Sequence, residues 1–151
     1  MNPKDEKIDF SVPPHDDYLV KHTLWPEMNK LYGHPHEISC LTKTLDGSRI
    51  ASACSGLSKA ASTILVWDTK GWKFKPIQYH AYTVNDMVFS NNNKYLVSVS
   101  KDRKMGVFDE NCELLFGYEA HSRVITSVSV SPNSKFIATG SRDKTIKIHS
   151  I

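Results

Sequence analysis

The sequence is short of most things that membranes and catalysis require. It has only three cysteines, Cys40, Cys54 and Cys112, far apart and without a CxxC pair. That spacing offers no thiolate metal site, and an odd count in strands and loops suits reduced thiols in a cytoplasmic, and also nuclear, protein. No apolar run approaches the roughly 20 residues that cross a bilayer, so no membrane role is expected. The first residues, with Lys4, Asp5, Glu6 and Lys7, do not read as a secretory leader. A glycine-rich phosphate loop is missing. Charge of one sign is missing too: 19 basic and 16 acidic residues leave a net +3, too little to argue for nucleic-acid binding. Any contact with RNA is therefore expected to be weak or indirect.

What the chain does have is repetition. Its 151 residues, 40% of them apolar, are one domain's worth, with enough material for a core. After His121 comes apolar alternation through Ile125, Val128 and Val130, then the turn Ser131-Pro132-Asn133-Ser134-Lys135. Phe136-Ile137-Ala138-Thr139-Gly140-Ser141, Arg142-Asp143-Lys144-Thr145 and Ile146-Lys147-Ile148-His149 complete the unit. Short period-two runs separated by polar turns are half-buried antiparallel strands. The same order follows His80, through Val84, Met87 and Phe89 to Lys101-Asp102-Arg103-Lys104 and Val107-Phe108-Asp109. It also follows His34, through Asp46-Gly47-Ser48-Arg49 and Ala51-Ser52-Ala53-Cys54 to Trp67-Asp68. Trp67-Asp68, Phe108-Asp109 and His149-Ser150 are 41 residues apart each time, while His34, His80 and His121 are 46 and 41 apart. The five extra residues fall in Ser55 to Ser62, small and polar, which predicts a lengthened surface turn.

A period of 41 with Gly33-His34 near one end and Trp67-Asp68 near the other resembles the WD repeat of β-propellers. The resemblance implies an all-β fold of about three four-stranded antiparallel blades, an incomplete propeller. It also implies a structural set: a histidine held by an aspartate in a tight turn, completed by a Ser or Thr and a Trp. The matching residues are His34, Ser52 and Trp67; His80, Ser98 and Asp102; and His121, Thr139 and Asp143. Ala61 stands at the first aspartate's place, Phe108 at the second Trp's and His149 at the third's, so each network is expected to be weakened.

A narrower resemblance rests on Pro13-Pro14-His15-Asp16-Asp17-Tyr18-Leu19, Thr23-Leu24-Trp25-Pro26-Glu27 and Lys30-Leu31-Tyr32-Gly33-His34. Ser100-Lys101-Asp102-Arg103-Lys104, His121-Ser122-Arg123-Val124-Ile125 and Gly140-Ser141-Arg142-Asp143-Lys144 add to it. Together they resemble part of the second propeller of the Elongator complex subunit 2 family, over roughly residues 13 to 149. Thr126 departs from it, standing where that family would have Trp. The resemblance implies a scaffold that helps assemble the complex modifying the wobble uridine of tRNAs, with the chemistry supplied by another subunit.

Residues 1–27 read as an N-terminal arm, with a short helix favoured by Asp16 and Asp17 at its start and Lys21 and His22 at its end. An extended arm with Trp25 against the propeller's side is the alternative. Residues 28–151 read as three blades, about 28–73, 74–113 and 114–151. One strand at Met28–Tyr32, then four, four and three, makes twelve, with the last blade lacking its outer strand. Three blades do not close a propeller of the usual four to eight or so. Either further blades exist in a parent chain, or copies associate through their open edges, Met28–Tyr32 being lent to a partner.

Each candidate site has a plainer reading beside it. Ser98, His80 and Asp102 carry the residue types of a hydrolase triad, but near-identical sets at the same place in successive repeats fit bracing better than catalysis. His34, His36 and Cys40 have a passing likeness to metal ligands without a fourth. Lys101, Arg103 and Lys104, and Arg142 and Lys144, follow equivalent turns and form a rim that can face a phosphate or an acidic partner; solvated turn residues are the alternative. Trp72, Phe74 and Tyr79 suggest a partner patch or packing against the arm. The sequence calls for no cofactor, metal or catalytic residue. It reads as a protein-binding scaffold, an Elongator-type subunit or a generic WD-repeat module of another complex.

Overall fold

The computed structural model describes residues 29–56, 58 and 60–151. The expected arm, with its helix at Asp16–His22 and Trp25, lies outside the described residues. The chain forms two compact units, 1–32 and 33–151, and every described strand belongs to the second.

Among the described residues eleven strands follow one another: β1 (Ile38–Lys43), β2 (Arg49–Cys54), β3 (Ile64–Asp68), β4 (Phe74–Ile77), β5 (Val84–Phe89), β6 (Leu96–Ser100), β7 (Lys104–Phe108), β8 (Leu114–Glu119), β9 (Ile125–Val130), β10 (Phe136–Ser141) and β11 (Ile146–Ser150). They pair in chain order into a four-stranded sheet, a second four-stranded sheet and a three-stranded one, all antiparallel. This is the all-β stack of incomplete-propeller blades that the repeats implied. Each sheet ends on the strand that pairs back onto it, so the sheets run 38–77, 84–119 and 125–150.

The connections between inner strands follow from turn chemistry. Asp46, Asn92 and Asn133 each accept, through Oδ1, the amide two residues on, from Ser48, Lys94 and Lys135 at 3.0, 3.1 and 3.1 Å. The residue between has positive φ: Gly47 at 71°, Asn93 at 59° and Ser134 at 57°. Asx turns of this kind hold a left-handed residue locally, and the same register recurs in all three sheets.

The sheets stack face to face through two apolar clusters. Ala51, Ala53, Ile64, Val66 and Ile77 of the first sheet region meet Val84, Met87, Phe89, Leu96 and Phe108 of the second. Val97, Val99, Met105 and Val107 of the second meet Ile125, Val128 and Ile137 of the third. A four-stranded sheet cannot bury both faces alone, so stacking is what stabilises the repeat.

Two expectations are corrected. Asn29–Tyr32 carry no strand, Met28 being outside the described residues, so the twelfth strand is not found among the described residues. The expected surface turn at Ser55 to Ser62 is in part interior: Ala61 and Ser62 are buried. Ser62 Oγ donates to the His80 carbonyl at 2.6 Å, and Cys54 Sγ to the Ala61 carbonyl at 3.2 Å. Small side chains let this segment fold inward and fill space that the shorter turns after β6 and β10 leave to an aspartate. Among the described residues no helix is long and apolar enough to cross a membrane.

Candidate functional site

The buried polar residues of each blade form one line running from the turn to the outer strands. In the second, Asp102 accepts from His80 Nδ1 at 3.0 Å and from the amides of Ala81 and Lys104 at 3.0 and 2.9 Å. A carboxylate only accepts, so the imidazole proton sits on Nδ1 and Nε2 accepts from the Ser98 hydroxyl at 2.7 Å. Burial pushes the Asp102 carboxyl upward, but the His80 bond, its electrostatic pull and the two amides outweigh it, holding the group below the ordinary carboxylate range.

The third blade repeats the line and extends it. Asp143 accepts from His121 Nδ1 at 2.9 Å, and His121 Nε2 accepts from Thr139 at 2.8 Å. Thr145 adds a hydroxyl donor to Asp143 at 2.6 Å, the largest of the influences lowering that carboxyl, ahead of an opposing burial effect and the His121 bond. His149 stands where a Trp was expected. Its Nε2 donates to Thr139 at 2.9 Å, and its Nδ1 accepts from the Tyr118 hydroxyl at 2.6 Å. The expected gap at this position is therefore filled by a different donor. Burial, then the neighbouring His121 and Lys147, lowers the His149 imidazole below its usual range.

In the first blade the Trp67 indole donates to Ser52 at 2.9 Å, and the Ser52 hydroxyl donates to His34 Nε2 at 2.8 Å. Among the described residues no carboxylate reaches His34. Burial lowers its imidazole, partly offset by the backbone of Ser52. His34 is thus engaged with Ser52, while Cys40 Sγ points to the Val84 carbonyl at 3.5 Å. Among the described residues no cluster of three or more His, Cys, Asp or Glu is arranged to hold a metal.

The rim residues separate into different roles. Lys101 and Arg142, one repeat apart, line a single open cleft between the second and third sheets together with Asn85, Val124 and Thr126. Arg103 instead pairs with Glu119 at 3.2 Å on the adjoining strand. Lys104 and Lys144 are exposed beside the aspartate turns, and Lys144, like Arg103, has a φ of 68°. Lys147 donates to the Ala120 carbonyl at 2.6 Å. Of the aromatics, Phe74 packs on Trp67 with ring centroids 4.8 Å apart, and Trp72 is 39% exposed. Tyr79 packs edge-on against His80 and Phe108 of the second blade. Pattern reasoning placed His149 only as a gap in the line and missed Tyr118 and Thr145: Tyr118 reaches His149 from β8, and Thr145 bonds Asp143 within the turn before β11.

Stacked antiparallel sheets of four, four and three strands, each braced by a histidine and a hydroxyl, define a β-propeller repeat protein. The family model "WD domain, G-beta repeat" matches residues 73–109 and 112–150, and the chain belongs to that family. Within it, the chain is similar to Elongator complex protein 2. Identity is 38% to the Homo sapiens protein over 92% of this chain, 39% to that of Arabidopsis thaliana over 99%, and 38% to that of Saccharomyces cerevisiae over 92%. The chain spans only 19% of the length of each of these relatives. The crystal structure of RRP9 WD40 repeats has the same fold, with a TM-score of 0.72 at 22% identity, over 80% of this chain and 37% of that one.

Proposed function

We propose that this chain is a non-catalytic WD-repeat scaffold that works as part of an Elongator-type subunit. In that role it supports tRNA wobble-uridine modification by helping to hold the complex together. The observation that carries the non-catalytic reading is the burial of the groups that look reactive. Ser98 and Thr139, the hydroxyls beside the two histidines, are 0% and 1% exposed. A nucleophile has to reach its substrate, and a hydroxyl closed inside a sheet stack braces the turn instead.

The similarity to Elongator complex protein 2 across nearly the whole chain supports the choice of complex. The partners are other protein subunits, met through loops and the cleft of Lys101 and Arg142. Contact with RNA is indirect, in keeping with the small net charge, and the setting is cytoplasmic with a nuclear share. The open edge at β11 also permits self-association. The test is affinity purification of the tagged full chain, with the other Elongator subunits identified by mass spectrometry. Their recovery is expected; their absence, with different subunits in their place, would make the chain a WD-repeat module of another complex.

A further inference from the structure

The loop between β3 and β4 holds one residue against its own backbone preference. Trp72 has a φ of 53°, in the left-handed region that Gly and Asn enter readily and a bulky side chain enters only with strain. Gly71, which would bear that conformation freely, stands one place earlier. The other non-glycine residues with positive φ are Asn93, Arg103, Cys112, Ser134 and Lys144, so Trp72 is the one aromatic among them in the described residues. The loop fixes it there. Asp68 N–H donates to the Lys73 carbonyl at 2.9 Å, and Trp72 N–H to the Asp68 carbonyl at 2.8 Å. Thr69 ties the loop to the turn before β2, through its N–H to the Ser48 carbonyl at 3.0 Å and its hydroxyl to the Gly47 carbonyl at 2.9 Å.

The matching loop of the second sheet shows the same position serving the core. There Asp109 N–H donates to the Glu113 carbonyl at 2.9 Å, and the left-handed residue just before the closing one is Cys112, with a φ of 62°. Cys112 is half-buried against the apolar cluster between the first two sheets. Trp72 joins neither cluster and is 39% exposed. Trp67 commits its indole N–H to Ser52, whereas no acceptor among the described residues takes that of Trp72. Lys70 and Lys73 flank it, both exposed and without an acidic partner among the described residues. Asp68, the acid of the loop, turns Oδ1 to the Lys70 N–H at 3.0 Å.

We propose that Trp72 is an anchor for another protein subunit, one that offers an apolar pocket with a carboxylate at its rim. A flat ring held out on a short hydrogen-bonded loop loses little freedom on docking, and Trp is among the side chains that contribute most at interfaces. The indole N–H and the two flanking ammonium groups are all donors, and a carboxylate is the acceptor that suits them together. The strained backbone is thus retained for a contact outside the chain, not for one within it. The inference rests on reading the chain as part of an Elongator-type subunit, and names the loop that meets the partner.

Calorimetry and affinity purification of the tagged full chain test it together. Trp72→Gly relieves the left-handed strain, so its melting temperature should equal or exceed that of the unaltered chain, while recovery of partner subunits falls at least tenfold. Trp72→Phe keeps a ring without the N–H and should lose less. Lys70→Glu with Lys73→Glu should lower recovery at least threefold. A lower melting temperature for Trp72→Gly would place the indole in packing within the chain, its N-terminal arm included, and would overturn the inference. Undiminished recovery would do the same. If the unaltered chain recovers subunits other than those of Elongator, the Elongator reading alone fails, because the ratio of variant to unaltered chain still decides the anchor.

Discussion

His149 donates through Nε2 to Thr139 Oγ1 across 2.9 Å, the same bond that the Trp67 indole makes to Ser52 in the first blade. An imidazole replaces an indole here because both present an N–H at the rim of a flat ring, but only the imidazole can gain a proton. Burial lowers the His149 imidazole, and burial lowers that of His34 as well. A group lowered on folding binds fewer protons folded than unfolded, so its contribution is complete above the ordinary histidine value near 6.5. Below that value stability falls with pH until the folded group also titrates. Thermal unfolding followed from about pH 7.5 to 5 should show this fall. His149→Gln, which keeps a donor for Thr139, should make the slope shallower, His34 supplying the rest. An unchanged slope would assign the effect to another group.

Asp102 anchors three N–H groups at once, those of His80, Ala81 and Lys104. Asp102→Ala leaves the buried imidazole without its acceptor, and an unsatisfied buried donor costs about 1–3 kcal/mol. For a chain of this size that is roughly 2–4 °C of melting temperature per kcal/mol. Asp102→Asn retains an acceptor oxygen and should cost less. Calorimetry of the two variants separates the loss of the acceptor from the loss of the charge. Because the folded carboxyl lies below the ordinary range, its share is present above about pH 4 and is lost as pH falls through the lowered value.

The second blade has Phe108 where the first has Trp67, and the space is taken up by Tyr79. A Cβ added at Gly106 would lie 2.9 Å from Phe108 Cζ and 2.9 Å from Tyr79 Cδ1. Both rings are wedged edge to face, 5.8 Å between centroids. Gly106→Ala should therefore destabilise by overpacking, about 1–3 kcal/mol. Tyr79→Leu in the same chain should recover part of it, since the shorter side chain can retreat. Urea midpoints of the single and double variants measure the recovery.

The repeat was legible because strands and turns of one register recur 41 residues apart, so each copy checks the others. His80 with Asp102 and Ser98, and His121 with Asp143 and Thr139, come together because their spacing within a repeat is fixed by the first two strands and one turn. What pattern could not give depends on pairing between strands of unlike sequence. Tyr118 reaches His149, and Glu119 takes Arg103 away from the rim, only because β8 lies on the outer edge of its sheet. The burial of Ala61 and Ser62 within the expected turn Ser55 to Ser62 was hidden for a different reason. Serine and alanine suit a surface turn and a tight interior equally, and only the missing aspartate at Ala61 marked the space to be filled.

Lys101 and Arg142 share their cleft with Asn85 and Thr126, and among the described residues no acidic side chain pairs with either cation. Two like charges gathered at one cleft raise the local potential without a partner inside the chain to neutralise it. Charge reversal there should leave folding intact, since both side chains are exposed. Lys101→Glu with Arg142→Glu should weaken recovery of the partner subunits at least tenfold and reduce the sensitivity of that recovery to salt. Reversing the Arg103–Glu119 pair to Glu and Arg should do neither, because that pair is already neutral. Affinity purification at about 0.05 and 0.3 M salt gives both readings. Equal loss from the two double variants would overturn this reading, since the Arg103–Glu119 reversal leaves both the net charge and the cleft unchanged.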